Sequence, residues 1–151
     1  VKAYEKLQKY WASSNSKVLS GTHSEVAVAA LEAQYEIRIP DDFREYLLNC
    51  CPQLECDMDK SLFVWWQFDR IRNIPDEYSY KIENPLVAAE SGKYLFFADY
   101  CIWCWAWAIA CGDNDNRGRI VAIGGGDHFI ADNFGEFVDR LIADPEHYLG
   151  I

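Results

Sequence analysis

The residues best equipped for chemistry are six cysteines, at positions 50, 51, 56, 101, 104 and 111, and three histidines, at 23, 128 and 147. Cys101 and Cys104 stand in the C-x-x-C spacing of metal and dithiol sites, inside the uncharged run YCIWCWAWAIAC (100–111). A tetrahedral zinc site needs four ligands, usually supplied by two such pairs. Only one pair has the spacing here; Cys50, Cys51 and Cys56 form an irregular cluster. If residues 103–111 are extended, Trp103, Trp105, Trp107, Ile109 and Cys111 share one face, and Cys104, Ala106, Ala108 and Ala110 the other. That register sends Cys101 and Cys104 to opposite faces, where no single metal can bridge them. A thioredoxin-type dithiol would sit at a helix N-terminus in a βαβ unit, a context this sequence lacks. Twelve uncharged residues also fall short of the ~20 that span a bilayer as a helix. The run is therefore expected to be a buried central strand, with no metal and no cofactor.

The other chemical candidates are weaker. Asp113-Asn-Asp115-Asn-Arg-Gly118 begins like a calcium loop, but Arg117 and Gly124 stand where further ligands belong, so a hairpin loop is expected. Gly124-Gly125-Gly126 lacks the context of a phosphate loop and reads as a turn. No histidine lies in a spacing typical of a triad or a zinc protease, and a pairing of Cys111 with His128 has no pattern behind it. The expectation is a protein that is not an enzyme. Trp65-Trp66 would place one ring in the core and the other either under a helix or outward, as a binding anchor.

These residues have to be positioned by a chain that changes character along its length. Residues 2–13 have the apolar spacing of an amphipathic helix (Tyr4, Leu7, Trp11). Thr22-x-x-Glu25 has the form of a capping box before a second helix, VAVAALEAQYE. Pro40 fits a first helical position, and Phe43, Leu47 and Cys50 repeat along a third helix. LFVWWQF (62–68) is predicted as a strand that continues extended to Pro75, and residues 76–92 as an irregular connection. Strands follow at 94–98, 119–124 and 127–130, flanking the cysteine-tryptophan run. Asp132 or Asn133 then caps a final helix through Phe134, Phe137, Val138 and Leu141, and Asp144-Pro145 starts a short helical tail containing His147. Strands joined by short loops pair antiparallel, which gives an α+β fold, helices on a mostly antiparallel sheet, as one domain over 1–151.

The totals fit that size. Half of the 151 residues are hydrophobic and a quarter charged, and 15% are aromatic. Fourteen Lys and Arg against 24 Asp and Glu leave a net charge of −10. Such a surface disfavours direct binding to nucleic acid and suits a basic partner. Sparse cysteines in apolar surroundings, and a start without a signal-peptide core, imply a reduced, cytoplasmic protein with no membrane segment.

The segment HSEVAVAALEAQYEIRIPDDFREYLLN resembles the N-terminal signature of the SUKH superfamily, which includes the Smi–Knr cell-wall-assembly regulators. Glu32, Ile39, Pro40, Asp42 and Phe43 occupy its motif positions. YLFFAD (94–99) resembles the central strand. GRIVAI with IADNFGEFVDRLI resembles the closing strand and helix, with Phe134, Glu136 and Phe137 in place. The chain departs from the pattern at Cys50-Cys51 and in CIWCWAWAIAC, which replaces a more polar, Asp-bearing strand. The resemblance implies helices on an antiparallel sheet and no common catalytic residues. It further implies a bacterial immunity protein that neutralises a cognate polymorphic or contact-dependent toxin by direct contact. The alternatives are a regulatory scaffold of the Smi–Knr type or a cysteine-based metal or redox protein. For a basic toxin domain, such as a nuclease, the expected contacts are Asp113 and Asp115 for steering and Trp65 or Trp66 as an apolar anchor.

Overall fold

Helices come first because the apolar spacing comes first. The structure, a computed structural model, describes residues 1–14 and 16–145. Helix α1 spans Ala3–Ser13, α2 Glu25–Tyr35 and α3 Asp41–Asn49. Leu7 and Trp11, Val28 and Leu31, and Phe43 and Leu47 are their buried positions, as the spacing requires. The cap of α2 is not Thr22 but Ser24, whose hydroxyl accepts a hydrogen bond from the Ala27 amide at 3.0 Å. A one-atom hydroxyl stem reaches only two or three residues ahead, so the nearer serine takes the role. Pro40 is the cap residue of α3 rather than its first turn, and Asp41 and Asp42 favour the positive helix end.

Six strands follow: β1 (Phe63–Trp65), β2 (Arg72–Asn73), β3 (Tyr94–Tyr100), β4 (Trp105–Ala110), β5 (Ile120–Ile123) and β6 (His128–Ala131). All pairings are antiparallel, in the order β1-β3-β4-β5-β6, with β2 beside β3 on the β1 edge. The first strand is shorter than 62–68. Beyond Trp66 the chain turns through a 3₁₀ segment, Phe68–Arg70, and Phe68 donates its amide to the Pro52 carbonyl. An edge strand can leave the ladder in this way because only one side of it is paired. Pro75 does not close an extended run; it lies in the first turn of a short helix, α4 (Ile74–Glu77). The connection read as irregular also holds α5 (Pro85–Ala88) and a 3₁₀ turn at Ser91–Lys93. Asn73 and Asn84 cap these helices with their side chains. Helix α6 (Phe134–Ala143) closes the described chain, capped by Asn133 through the Glu136 amide at 2.8 Å. The tail with His147 lies outside the described residues.

The sheet is covered on both sides. On one, α1, α3 and α6 bury an aromatic layer: Phe43 meets Phe97 and Phe134, Trp65 meets Trp11 and Phe137, and Trp107 meets Phe63 and Phe137. On the other, Trp66 packs on Phe96 and its indole donates to the buried Asp99 carboxylate at 2.7 Å. Trp65 and Trp66 are both 0% exposed, so neither is free to be a surface anchor. Consecutive strand residues do face opposite ways, but both sides here are interior.

The residues of the family-like motif are fasteners of the helical layer. Glu32 accepts from the Ile39 amide at 3.0 Å and from the Arg44 guanidinium at 2.9 Å, tying α2 to the link and to α3. Asp42 accepts from the Phe43 amide and, across the layer, from the Gly135 amide in the first turn of α6 at 3.1 Å. Glu136 pairs with Arg140 at 2.8 Å.

Phe134→Ala is expected to cost about 3–5 kcal/mol by emptying the centre of the aromatic layer. Asp42→Ala should cost about 1 kcal/mol through the lost hydrogen bonds to the Phe43 and Gly135 amides. Urea unfolding midpoints of both variants, at unchanged slope, check this order.

Candidate functional site

The cysteine-tryptophan run is only partly a strand. Residues 105–110 are extended, but Cys101, Ile102 and Trp103 have φ of 49°, 57° and 63°. Three successive left-handed residues that are not glycine cost roughly 1–2 kcal/mol each. Local bonds offset this: Asp99 accepts the Trp103 amide at 3.0 Å, Cys104 donates its amide to the Tyr100 carbonyl at 2.8 Å, and Cys101 donates its own to Leu62 at 2.9 Å. The turn overturns part of the alternation. Trp105 and Trp107 point toward the helices, where Trp105 stacks on Tyr100. Trp103 is swung to the other side, against Phe96 and Tyr78. Nor are Cys101 and Cys104 separated on opposite faces; they share one turn, with the Cys104 thiol 3.2 Å from the Cys101 carbonyl. Among the described residues no three His, Cys, Asp or Glu side chains are grouped to hold a metal ion.

The remaining thiols are structural. Cys50, Cys51 and Cys111 are fully buried, and burial pushes each thiol up, Cys50 to about 12. A thiol that resists ionisation is a poor nucleophile and a poor metal ligand. Cys111 follows the far end of β4, while His128 pairs with Ala122, which lies opposite Trp107, so the sheet keeps the two apart. His23 stacks on Phe68, and its Nε2 is 2.9 Å from the Cys51 carbonyl.

What the turn builds is a surface. Ile102 at its tip is 80% exposed. Beside it Trp103 lies parallel to Tyr78, ring centroids 5.4 Å apart at 7°, and Tyr80, 75% exposed, leans edge-on against Tyr78. The Trp103 indole donates to Glu77 at 2.9 Å, which fixes the ring. The β5–β6 turn closes this end of the sheet. Gly124 has φ +100°, out of reach for most side chains, and gives its amide to the buried Asp127, which also accepts from the Glu83 amide. Asp127 thereby ties the 78–84 segment to the sheet, with Asn84 donating to its carbonyl.

Asp113 and Asp115 are exposed, but on the opposite end of the sheet, in the β4–β5 loop that the Gly118 amide closes onto Ala110. Arg117 anchors that loop to the Arg38 and Ile39 carbonyls, and Asp113 lies 3.9 Å from Arg38. The structure does not bring Asp113 and Asp115 together with Trp65 and Trp66. The aromatic surface escaped the sequence reading because it joins Tyr78 and Tyr80, from a stretch without periodicity, to a tryptophan assigned to a strand. The cluster of aromatic residues at 78, 80 and 103 was the available signal.

No helix among the described residues is long and apolar enough to cross a membrane. A model of the SMI1 / KNR4 family (SUKH-1) matches residues 22–140, most of the chain. No curated protein matches it.

At pH 8, the accessible thiols of Cys56, Cys101 and Cys104 should react first with a thiol reagent, while Cys50, Cys51 and Cys111 wait for unfolding. Mass mapping of the modified thiols tests this. The buried thiols also set an alkaline limit. Their folded pKa values are raised, so their contribution is complete below the ordinary thiol value of 9.0 and is lost as pH rises from there, for Cys50 toward about 12. Unfolding free energy should therefore fall from pH 9 upward, and Cys50→Ala should flatten that fall.

Proposed function

The chain belongs to the SMI1/KNR4 family (SUKH-1), and on that premise we propose that it is an immunity protein, one that neutralises a toxin domain by binding it directly. The observation that carries this reading is the cluster of exposed Ile102 and Tyr80 around the half-buried, stacked Trp103 and Tyr78, in a protein of net charge −10. Rings held in place before binding lose little entropy on contact, and aromatic residues dominate the energetics of protein interfaces. Excess negative charge would steer a basic partner, such as a nuclease domain built to approach phosphate. In this reading the protein works by occluding its partner and performs no catalysis. The buried, hard-to-ionise thiols and the engaged His23 support that. Asp113 and Asp115, at the other end of the sheet, contribute to long-range steering rather than to the contact itself.

The test is capture followed by protection. The tagged full chain, under reducing conditions, should retain one stoichiometric partner bearing a toxin domain, and co-expression should rescue cells from that domain. Retention of several weak partners without rescue would favour the regulatory-scaffold alternative. With the partner in hand, Asp113→Lys together with Asp115→Lys should slow association several-fold in low salt and little in high salt, as stopped-flow rates would report. An unchanged on-rate would remove both residues from the steering role.

A further inference from the structure

We propose that the cleft beside the β3–β4 turn is a receptor for a single arginine side chain of the partner, taken up between aromatic rings and the Glu77 carboxylate. This deepens the reading of the chain as the binder of a basic domain and rests on it. The cleft, of about 420 Å³, is bounded by Glu77, Tyr78, Tyr80, Trp103 and Gly124. Trp103 and Tyr78 stack on one another, the exposed Tyr80 ring stands edge-on beside them, and Glu77 is the carboxylate of the lining. Glu77 holds Trp103 through one oxygen at 2.9 Å, and its other oxygen pairs with Arg72 Nε at 3.8 Å. Behind Gly124 sits Asp127, 2% exposed and held by backbone amides; among the described residues no lysine or arginine pairs with it. Glu83, exposed on the same segment, adds a third carboxylate. Carboxylates grouped beside aromatic rings favour a cation over a neutral side chain.

The protein already uses this arrangement inside itself. Arg70 lies over the Trp66 ring at 3.8 Å, with Asp99 3.7 Å from its guanidinium. At the cleft the ring and the carboxylate are present again, yet among the described residues no cation lies over Tyr78, Tyr80 or Trp103. Guanidinium suits the site better than ammonium. It is flat, so it stacks on a ring, and it is more weakly hydrated, so it loses less on entering a cleft.

The experiment titrates N-acetyl-arginine methylamide into the ¹⁵N-labelled full chain and follows the Trp103 indole N–H resonance. A saturable shift is expected with the arginine probe and none with N-acetyl-norleucine methylamide, which keeps the stem without the charge. Glu77→Gln, whose amide oxygen still accepts from Trp103, and Tyr80→Ala, at an exposed position, should each weaken probe binding about 5–30-fold. Unchanged amide resonances away from the cleft in the ligand-free variants show that the fold is intact. No saturable shift, an equal shift with norleucine, or indifference to both substitutions overturns the proposal. The two readings fail separately. A captured toxin domain that binds wild type and both variants equally removes the arginine receptor and leaves the immunity reading. Probe binding without any toxin partner does the reverse.

Discussion

Strand β4 must be dry on both faces: Trp107 and Ile109 project to one side, Ala106, Ala108 and Ala110 to the other, and none is more than 2% exposed. Amphipathic helices satisfy one side of such a strand. Here α1, α3 and α6 do so by setting Phe43, Phe134 and Phe137 against Phe97 and Trp107. The other side offers only small side chains, so its cover must approach closely. On that side Trp66 packs on Phe96, and Tyr78 stacks on Trp103.

Covering the second face in this way creates a polar problem, and its solution shapes the surface. A segment of short helices leaves many backbone amides without helical partners. Asp99 and Asp127, both 2% exposed, take up several of the polar groups on this side. Asp99 receives the Trp66 indole and the Trp103 amide, so it fastens the cover to the sheet and fixes the left-handed turn. Asp127 fastens the later part of the cover through Glu83 and Gly124. The aromatic cluster outside is therefore a consequence of how the interior is sealed: these carboxylates hold the backbone on either side of it, and Glu77 holds the Trp103 ring.

The helical layer was legible in the sequence because its signals are local. Spacing placed Leu7 and Trp11, Phe43 and Leu47, and Phe134 through Leu141 correctly, and the alternation of β4 emerged from Trp105 onward. Three things were not legible. The Ser24 cap competes with Thr22 two residues away, and only geometry decides between them. The turn at 101–103 is left-handed without a glycine, which no propensity foresees; it exists because Asp99 and Leu62 supply bonds from elsewhere in the chain. Trp66 looked available because its partners, Phe96, Asp99 and Arg70, are distant in sequence.

The same geometry separates the residues that define the family from those that could recognise a partner. Glu32 spends its two oxygens on Ile39 and Arg44, and Asp42 spends its own on Phe43 and Gly135. Phe43, Phe134 and Phe137 have no exposed surface left to offer. A group already hydrogen-bonded and buried gains nothing from a partner without first losing what holds the fold together. For the proposed role, recognition falls to positions that the scaffold leaves unspent. These lie in the turn inside CIWCWAWAIAC and in the segment packed beside it. Such a division lets one framework carry different binding faces, since changing Ile102 or Tyr80 disturbs neither the aromatic layer nor the bonds that close it.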